Sequence, residues 1–192
     1  RYIYDDTTPR ILFDYHAAFQ SATSYFFESG HENVLFLVEK TDSLAKQEKI
    51  AGYEEALLCA NRTLSSSCIA EISLYQSYDL ISLNIQKSIS RYLPTAIITG
   101  GNRLTMLLLK ALRELGKDCP RDISIIGFDD LDISKYTTPG LTTVKQPISA
   151  KGERAVEILI ENIEDPQMEK VEEVFPVKLI ERQSVRKRTE IL

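Results

Sequence analysis

The chain has 192 residues and a formal net charge of −5, from 28 acidic and 23 basic residues. Apolar residues make up 43% and charged residues 27%, which is typical of soluble globular proteins and argues against disordered or fibrous classes. No apolar run approaches the ~20 residues that span a bilayer, and the first residues lack the pattern of a signal peptide. The net acidity argues against nucleic-acid binding by this chain alone, because such binding requires Lys and Arg to neutralise phosphates.

The cysteines and histidines are too few and too scattered to indicate a metal site. Cys59, Cys68 and Cys119 contain no Cys-x-x-Cys pair, and the chain has only two histidines. A catalytic Cys–His pair has no local signature here. We therefore expect three ordinary thiols in a reducing, cytoplasmic compartment, with no metal and no cofactor.

Helical patterns alternate with short apolar runs along the chain. Amphipathic helices are predicted over residues 16–29, 48–60, 81–92, 103–115 and 149–163. Strands buried on both faces are predicted over residues 34–38, 68–72, 95–98 and 123–126. Because such strands must be joined by long helical crossovers, the pattern predicts an α/β fold with a doubly wound parallel sheet. Residues 141–147 are too polar for a central strand and are predicted to form an extended crossover.

Polar residues follow two of these strands, at the edge where α/β sheets bind ligands. Asn102 follows two glycines and precedes the best helical pattern, so it is either a helix N-cap or a ligand contact with both a donor and an acceptor. Asp129 and Asp130 follow the last predicted strand. Paired carboxylates suit general acid–base chemistry, metal binding or acceptance of hydroxyl groups, and hydroxyl recognition is the least demanding of these roles.

Three stretches resemble the effector-binding domain of the LacI–GalR family of bacterial transcriptional repressors. They are PTAIITGGN at 94–102, RDISIIGFDD at 121–130 and PGLTTVKQP at 139–147, followed by LIERQS at 179–184. Weaker matches lie at residues 13–14, 28–31 and 49–53. The resemblance covers nearly the whole chain and is most specific from residue 94 to residue 147.

The resemblance implies a periplasmic-binding-protein-like fold, with two α/β lobes, three crossing segments and a ligand in the cleft between the lobes. Mapped onto this chain, the crossings fall at residues 30–33, 145–149 and 171–177. Residues 1–30 and 148–171 would form a partial N-terminal lobe. Residues 31–147 and 172–192 would form the C-terminal lobe. The family's DNA-binding helix-turn-helix is absent from this chain.

Carried over position by position, the resemblance implies a set of ligand contacts: Asn102, Asp129, Lys49, Tyr75 (or its neighbour Leu74), Ile148 and Ser43. The chain departs from the family at some of these places. Lys49 stands where the family has an arginine, and it lacks the planar two-pronged contact of a guanidinium. Arg103 replaces a common acid, and residues 39–43 replace a Gly-rich turn in a way that resembles the arabinose-responsive repressors, whose DNA-binding domain is of the GntR type.

The resemblance predicts a sensor domain that binds a small-molecule effector, expected to be a sugar, and controls operator DNA through a domain outside this chain. It also implies a homodimer with no membrane contact. An exported sugar-binding protein of a transporter has the same fold and is the alternative from another class. An enzyme that uses Asp129 and Asp130 is the third hypothesis, and it lacks a nucleophile elbow and a complete phosphate loop.

Overall fold

The computed structural model describes residues 8–63, 67–165 and 170–188, which form two β-sheets and six helices. The strands are β1 (Arg10–Phe13), β2 (Val34–Glu39), β3 (Cys68–Ile72), β4 (Ala96–Thr99), β5 (Ser124–Phe128), β6 (Thr142–Lys145), β7 (Glu172–Phe175) and β8 (Lys178–Ile180). The helices are α1 (Tyr15–Glu28), α2 (Leu44–Cys59), α3 (Tyr78–Tyr92), α4 (Asn102–Glu114), α5 (Ile133–Tyr136) and α6 (Ile148–Glu164). The four strands and five helices predicted from the sequence are confirmed; β1, β7 and the short α5 were not predicted.

The large sheet has six strands in the order β3-β2-β4-β5-β6-β8. Its first five strands run parallel, and β8 pairs antiparallel with β6 at the edge. Helical crossovers connect the parallel strands, as the alternating pattern predicted. The small sheet consists of β1 and β7, paired in parallel with Phe13 opposite Phe175.

Side chains of the central strands alternate between two hydrophobic layers, because successive residues of a strand point to opposite faces. Leu35 and Leu37 pack with the apolar stripes of α3 and α4, including Ile85 and Leu108. Phe36 and Val38 lie in the other layer, with residues of α1 and α2. Both faces of the large sheet are therefore covered by helices, which explains why its central strands are almost continuously apolar.

Helices α1 and α2 approach each other closely at Gly52. A Cβ atom built at Gly52 would overlap the carbonyl oxygen of His16 on α1. Tyr53, the next residue, is fully buried, and its hydroxyl donates to the Val34 carbonyl at 2.8 Å. The Gly-Tyr pair therefore fixes α2 against both α1 and β2.

The prediction that residues 141–147 are no central strand is wrong. Residues Thr142–Lys145 form β6, which lies between β5 and β8. Its two buried threonines are tolerated because their hydroxyls are hydrogen-bonded: Thr142 Oγ1 accepts from the Arg182 amide at 2.9 Å, and Thr143 Oγ1 donates to Asp130 at 2.8 Å. A buried hydroxyl costs little once it has a partner.

The predicted crossing at residues 30–33 is also wrong, and with it the assignment of α1 to the N-terminal lobe. Helix α1 packs on the large sheet through Phe19 and Phe26, in the same layer as β2. Gly30 adopts a φ of +81°, in the tight turn between α1 and β2. The chain instead changes sheets between β1 and α1, at Asp14, whose amide donates to the Phe175 carbonyl at 3.0 Å.

Three short segments connect the small sheet and its helix to the large sheet: residues 13–15, 145–148 and 175–178. We call these the joining segments. The second and third overlap two of the predicted crossings. Helix α6 packs on the small sheet, where Arg154 Nε lies 2.8 Å from Glu173 and Lys151 Nζ lies 4.1 Å from the centre of the Phe13 ring.

Helix α6 also carries a row of exposed apolar side chains, Val156, Leu159, Ile160 and Ile163. Within the described residues, no helix combines the length and apolarity needed to cross a membrane. No disulfide joins Cys59, Cys68 and Cys119, all three of which lie in the described residues. No group of three or more potential metal ligands lies together in the described part of the chain.

Candidate ligand-binding site at the carboxyl edge of the large sheet

Asn102 and Asp129 lie at the same edge of the large sheet. Strands β4 and β5 are parallel neighbours, with Ala96 opposite Ser124. Asn102 begins α4 just after β4, and Asp129 directly follows β5. Because the two strands end side by side, the loops that carry the amide and the carboxylate are adjacent.

Lys49 links these two loops. Its Nζ atom donates to the Gly100 carbonyl at 2.8 Å and lies 4.0 Å from the centre of the Phe128 ring. The side chain comes from α2, and the residue is only 8% exposed. Burial lowers the pKa of the Lys49 ammonium to about 8, against the opposing effect of nearby carboxylates, Asp129 first among them. Lys49 therefore acts mainly inside the protein, as a cation held between a carbonyl and aromatic rings.

Asp129 and Asp130 occupy a strained turn at the end of β5. Their φ angles are +76° and +42°, in the left-handed region that costs a non-glycine residue roughly 1–3 kcal/mol. The Asp129 amide donates to Val144 on β6 at 2.9 Å, and its carboxylate accepts a hydrogen bond from Gln146 Nε2. Burial raises the pKa of the Asp129 carboxyl, while the Gln146 hydrogen bond and the Lys49 charge act to lower it.

Asp130 anchors this turn to the segment that follows the edge strand β8. Its side chain is 3% exposed and lies 2.6 Å from Arg182 Nη2, beyond β8. Lys145 lies 3.7 Å from its other carboxylate oxygen. Burial acts to raise the pKa of Asp130, but hydrogen bonds from Thr143 and Arg182, with the Arg182 charge, lower it overall. Asp130 is thus occupied by protein groups and supports the turn that presents Asp129.

Asn102 is not the helix cap that its sequence position suggested as one alternative. Gly101 occupies the N-cap position of α4, and no side chain caps this end. The Asn102 Oδ1 atom is buried and makes no hydrogen bond to any described residue. Such an unpaired buried acceptor costs about 1–3 kcal/mol, which makes it a candidate for pairing with a ligand donor.

Two residues of this site were not singled out from the sequence. The Tyr15 hydroxyl donates to Gln146 Oε1 at 2.6 Å, and Gln146 in turn contacts Asp129. The Tyr15 ring lies 6.0 Å from the Phe128 ring, and Lys49 Nζ lies 4.6 Å from the centre of the Tyr15 ring. Gln146 is part of a stretch that carried the family resemblance, whereas nothing in the local sequence around Tyr15 indicated a role.

The remaining predicted contacts, Ser43, Tyr75 and Ile148, have no contact with this cluster among the interactions described. Ser43 caps α2 by accepting from the Lys46 amide at 3.2 Å. Tyr75 is 88% exposed in the loop after β3, and its neighbour Leu74 is buried in the core. Ile148 is the first residue of α6 and is 60% exposed. Their roles as ligand contacts remain predictions.

Comparison with protein families supports the assignment of the fold. The family model of the periplasmic binding protein-like domain matches residues 23–185. An HTH-type transcriptional repressor PurR from Vibrio vulnificus is 34% identical over 168 residues, and the PurR of Vibrio atlanticus is 36% identical over 166 residues. Each alignment covers 86% of this chain and 49% of the relative, so the chain spans about half the length of these curated relatives.

Solved structures of the same fold include regulators with bound small molecules. A LacI family transcriptional regulator from Enterococcus faecium with bound ribose superposes with a TM-score of 0.89 at 23% identity, over 97% of this chain and 69% of that one. A sugar-binding LacI family regulator from Escherichia coli, complexed with phosphate, has a TM-score of 0.80 at 27% identity, over 93% of this chain and 63% of that one. The first likeness concerns the fold alone.

Proposed function

Because this chain belongs to the periplasmic binding protein-like effector domains of the LacI–GalR repressors, we propose that it senses a neutral hydroxylated small molecule, a sugar, for a transcriptional repressor. The observation that carries this proposal is that Asn102 and Asp129 follow adjacent strands at the same edge of the sheet, and that the buried Asn102 Oδ1 makes no hydrogen bond to the described residues.

The chemistry of this pair suits hydroxyl groups. An ionised carboxylate only accepts hydrogen bonds, whereas an amide both donates and accepts. A sugar hydroxyl also does both, so it satisfies Asp129 and Asn102 Oδ1 as a donor and the Asn102 amide nitrogen as an acceptor. Asp129 is already partly used by Gln146, and a carboxylate has room for further donors.

The charges around the pair favour a neutral ligand. Three carboxylates, Asp129, Glu39 and Glu48, interact electrostatically with the single Lys49 ammonium. That ammonium is buried and donates to a backbone carbonyl, so it offers little to an anion. A phosphorylated sugar would meet these three carboxylates with only one, shielded, ammonium among them, and we therefore favour the unphosphorylated form.

The proposed mechanism is differential affinity. An effector that binds one arrangement of the two lobes more tightly shifts the population toward that arrangement, and a DNA-binding segment outside this chain responds. Homodimerisation, a cytoplasmic location and operator binding belong to this proposal. Ligand binding without chemistry agrees with the relatives, which are transcriptional regulators rather than enzymes.

The proposal is tested by ligand binding to the intact protein. We expect a thermal-shift panel of D-ribose, L-arabinose, cellobiose, D-ribose 5-phosphate and adenine to give its largest stabilisation with an unphosphorylated sugar. Calorimetry with that sugar should show an affinity loss of about tenfold or more in Asp129→Ala and in Asn102→Ala, because each leaves a buried partner unpaired.

The matched control is Asp132→Ala, which removes a nearby carboxylate whose side chain is 87% exposed. This variant should bind as the wild type does. A panel in which only adenine or the phosphate ester stabilises the protein would contradict the proposed ligand class. Unchanged sugar affinity in both site variants would contradict the site.

A further inference from the structure

A chain of hydrogen bonds runs from Tyr15 through Gln146 to Asp129. The Tyr15 hydroxyl lies 2.6 Å from Gln146 Oε1, and Gln146 Nε2 contacts Asp129 Oδ1. Tyr15 is 131 residues away from Gln146 in sequence, and the three residues belong to three different segments. Tyr15 opens α1, Gln146 follows β6, and Asp129 follows β5.

The direction of each hydrogen bond follows from its chemistry. An ionised Asp129 can only accept, so Gln146 must present its NH₂ group to Asp129 and its carbonyl oxygen to Tyr15. That oxygen can only accept, so the Tyr15 hydroxyl must be the donor. Without the Tyr15 hydroxyl, the Gln146 oxygen loses this partner and the amide is free to rotate away from Asp129.

Two of these residues lie in segments that join the small sheet to the large one. Tyr15 ends the first joining segment, residues 13–15, and Gln146 lies within the second, residues 145–148. The first is also tied to the third by the Asp14 amide, which donates to Phe175 at 3.0 Å. The hydrogen bonds from Tyr15 through Gln146 therefore link the joining segments to the Asp129 carboxylate of the candidate site.

We propose that Tyr15 is a positioning residue, which fixes the Gln146 amide against Asp129 and so ties the ligand-binding carboxylate to two joining segments. This inference rests on the proposed function, in which Asp129 contacts the ligand. A sugar hydroxyl that donates to Asp129 shares or displaces the Gln146 hydrogen bond. Occupancy of the site then changes how firmly both joining segments are held, which is the coupling that a sensor domain needs.

The test is Tyr15→Phe in the intact protein, measured by hydrogen exchange with no sugar present. The substitution removes only the hydroxyl and keeps the ring that contacts Phe13, Phe128 and Lys49. The reporter amides are those of Asp14 and Ile148, which donate within the joining segments. Loss of one hydrogen bond should speed their exchange by about threefold to tenfold, in peptides covering residues 11–18 and 144–149.

Asp129→Ala provides a readout that general destabilisation would not reproduce. It removes the carboxylate to which Gln146 donates, so it should also speed exchange in the 144–149 peptide. Because both substitutions break one connected network, the double variant should exchange there no faster than the faster single variant. If the exchange rate of this peptide in the double variant rises by the product of the two single-variant factors, the proposal is overturned.

The matched control is Tyr92→Phe, which removes only a hydroxyl that donates to the Ile69 carbonyl at 3.2 Å, away from the joining segments. It should leave both reporter peptides unchanged. Exchange in Tyr15→Phe that matches the wild type, or that rises equally across the whole protein, would overturn the proposal. Since no sugar is used, these outcomes are independent of whether the sugar panel succeeds.

Discussion

Replacing Lys49 by methionine tests whether its ammonium is as deeply buried as the structure shows. In the folded protein, burial lowers the pKa of Lys49 from its usual 10.5 to about 8. Between these two values the unfolded chain binds a proton that the folded chain has released. The free energy of unfolding contributed by Lys49 therefore rises with pH through this window.

The magnitude follows from the two pKa values. At pH 7 the amine is charged in both states and contributes almost no pH dependence. At pH 9 it is mostly neutral in the folded protein and still charged in the unfolded chain, which stabilises the folded wild type by about 1 kcal/mol relative to pH 7. The Lys49→Met variant lacks this titration.

The assay is urea unfolding of both proteins at pH 7 and at pH 9. The quantity compared is the free energy of unfolding of the wild type minus that of the variant. This difference cancels the contributions of Cys119 and Tyr53, whose pKa values burial also shifts, because both residues are present in both proteins. We expect this difference to move in favour of the wild type by about 1 kcal/mol between the two pH values. An unchanged difference would mean that the amine is solvated, and it would refute the buried cation between the two loops.

Three further predictions concern the scaffold of the site. Burial lowers the pKa of His31 to about 4, so the free energy of unfolding should fall by up to about 3 kcal/mol as the pH falls from 6.5 to 4. Urea titrations of His31→Gln should not show this loss. Gly52→Ala should cost about 1–3 kcal/mol in thermal unfolding followed by circular dichroism, since its Cβ overlaps the His16 carbonyl, and an unchanged midpoint would contradict the close approach of α1 and α2. Arg182→Met should cost about 3–5 kcal/mol in chemical denaturation because it strips the main partner from the buried Asp130; Arg182→Lys should recover part of the loss, and equal stability of all three proteins would show that the ion pair is unimportant.

Much of the large sheet could be predicted from the sequence because its central strands are short, continuous apolar runs, whereas its helices carry apolar residues at helical spacing. Residues 34–38 are apolar at every position, as a strand covered on both faces requires, and α4 carries its apolar residues on one stripe. Gly116 follows that helix with a φ of +65°, the left-handed conformation that glycine commonly adopts just after a helix ends. Local patterns of this kind do not depend on distant partners.

The errors arose where distant partners decide the structure. Strand β6 is too polar by its own composition, and it is a central strand because Asp130 and the Arg182 amide satisfy its threonines. The change of sheets at Asp14 depends on pairing between β1 and β7, about 160 residues apart, and β1 is only four residues long. No local signal distinguishes the joining segment there from the turn at Gly30.

The candidate site shows the same division. Asn102 and Asp129 could be predicted as ligand contacts because ligands bind at strand ends and because both residues lie in stretches that resemble the family. Tyr15 was missed, since its role follows from a hydrogen bond to a residue 131 positions away. Lys49 was predicted as a ligand contact, but its carbonyl partner and aromatic neighbours indicate a more internal role.

The most direct measurement is a crystal structure of the intact protein with the sugar from the panel that stabilises it most. The account predicts that one sugar molecule lies at the carboxyl edge of the large sheet, with hydroxyl groups within hydrogen-bond distance of both Asn102 Oδ1 and the Asp129 carboxylate. A sugar bound elsewhere, or one that contacts neither side chain, would contradict it.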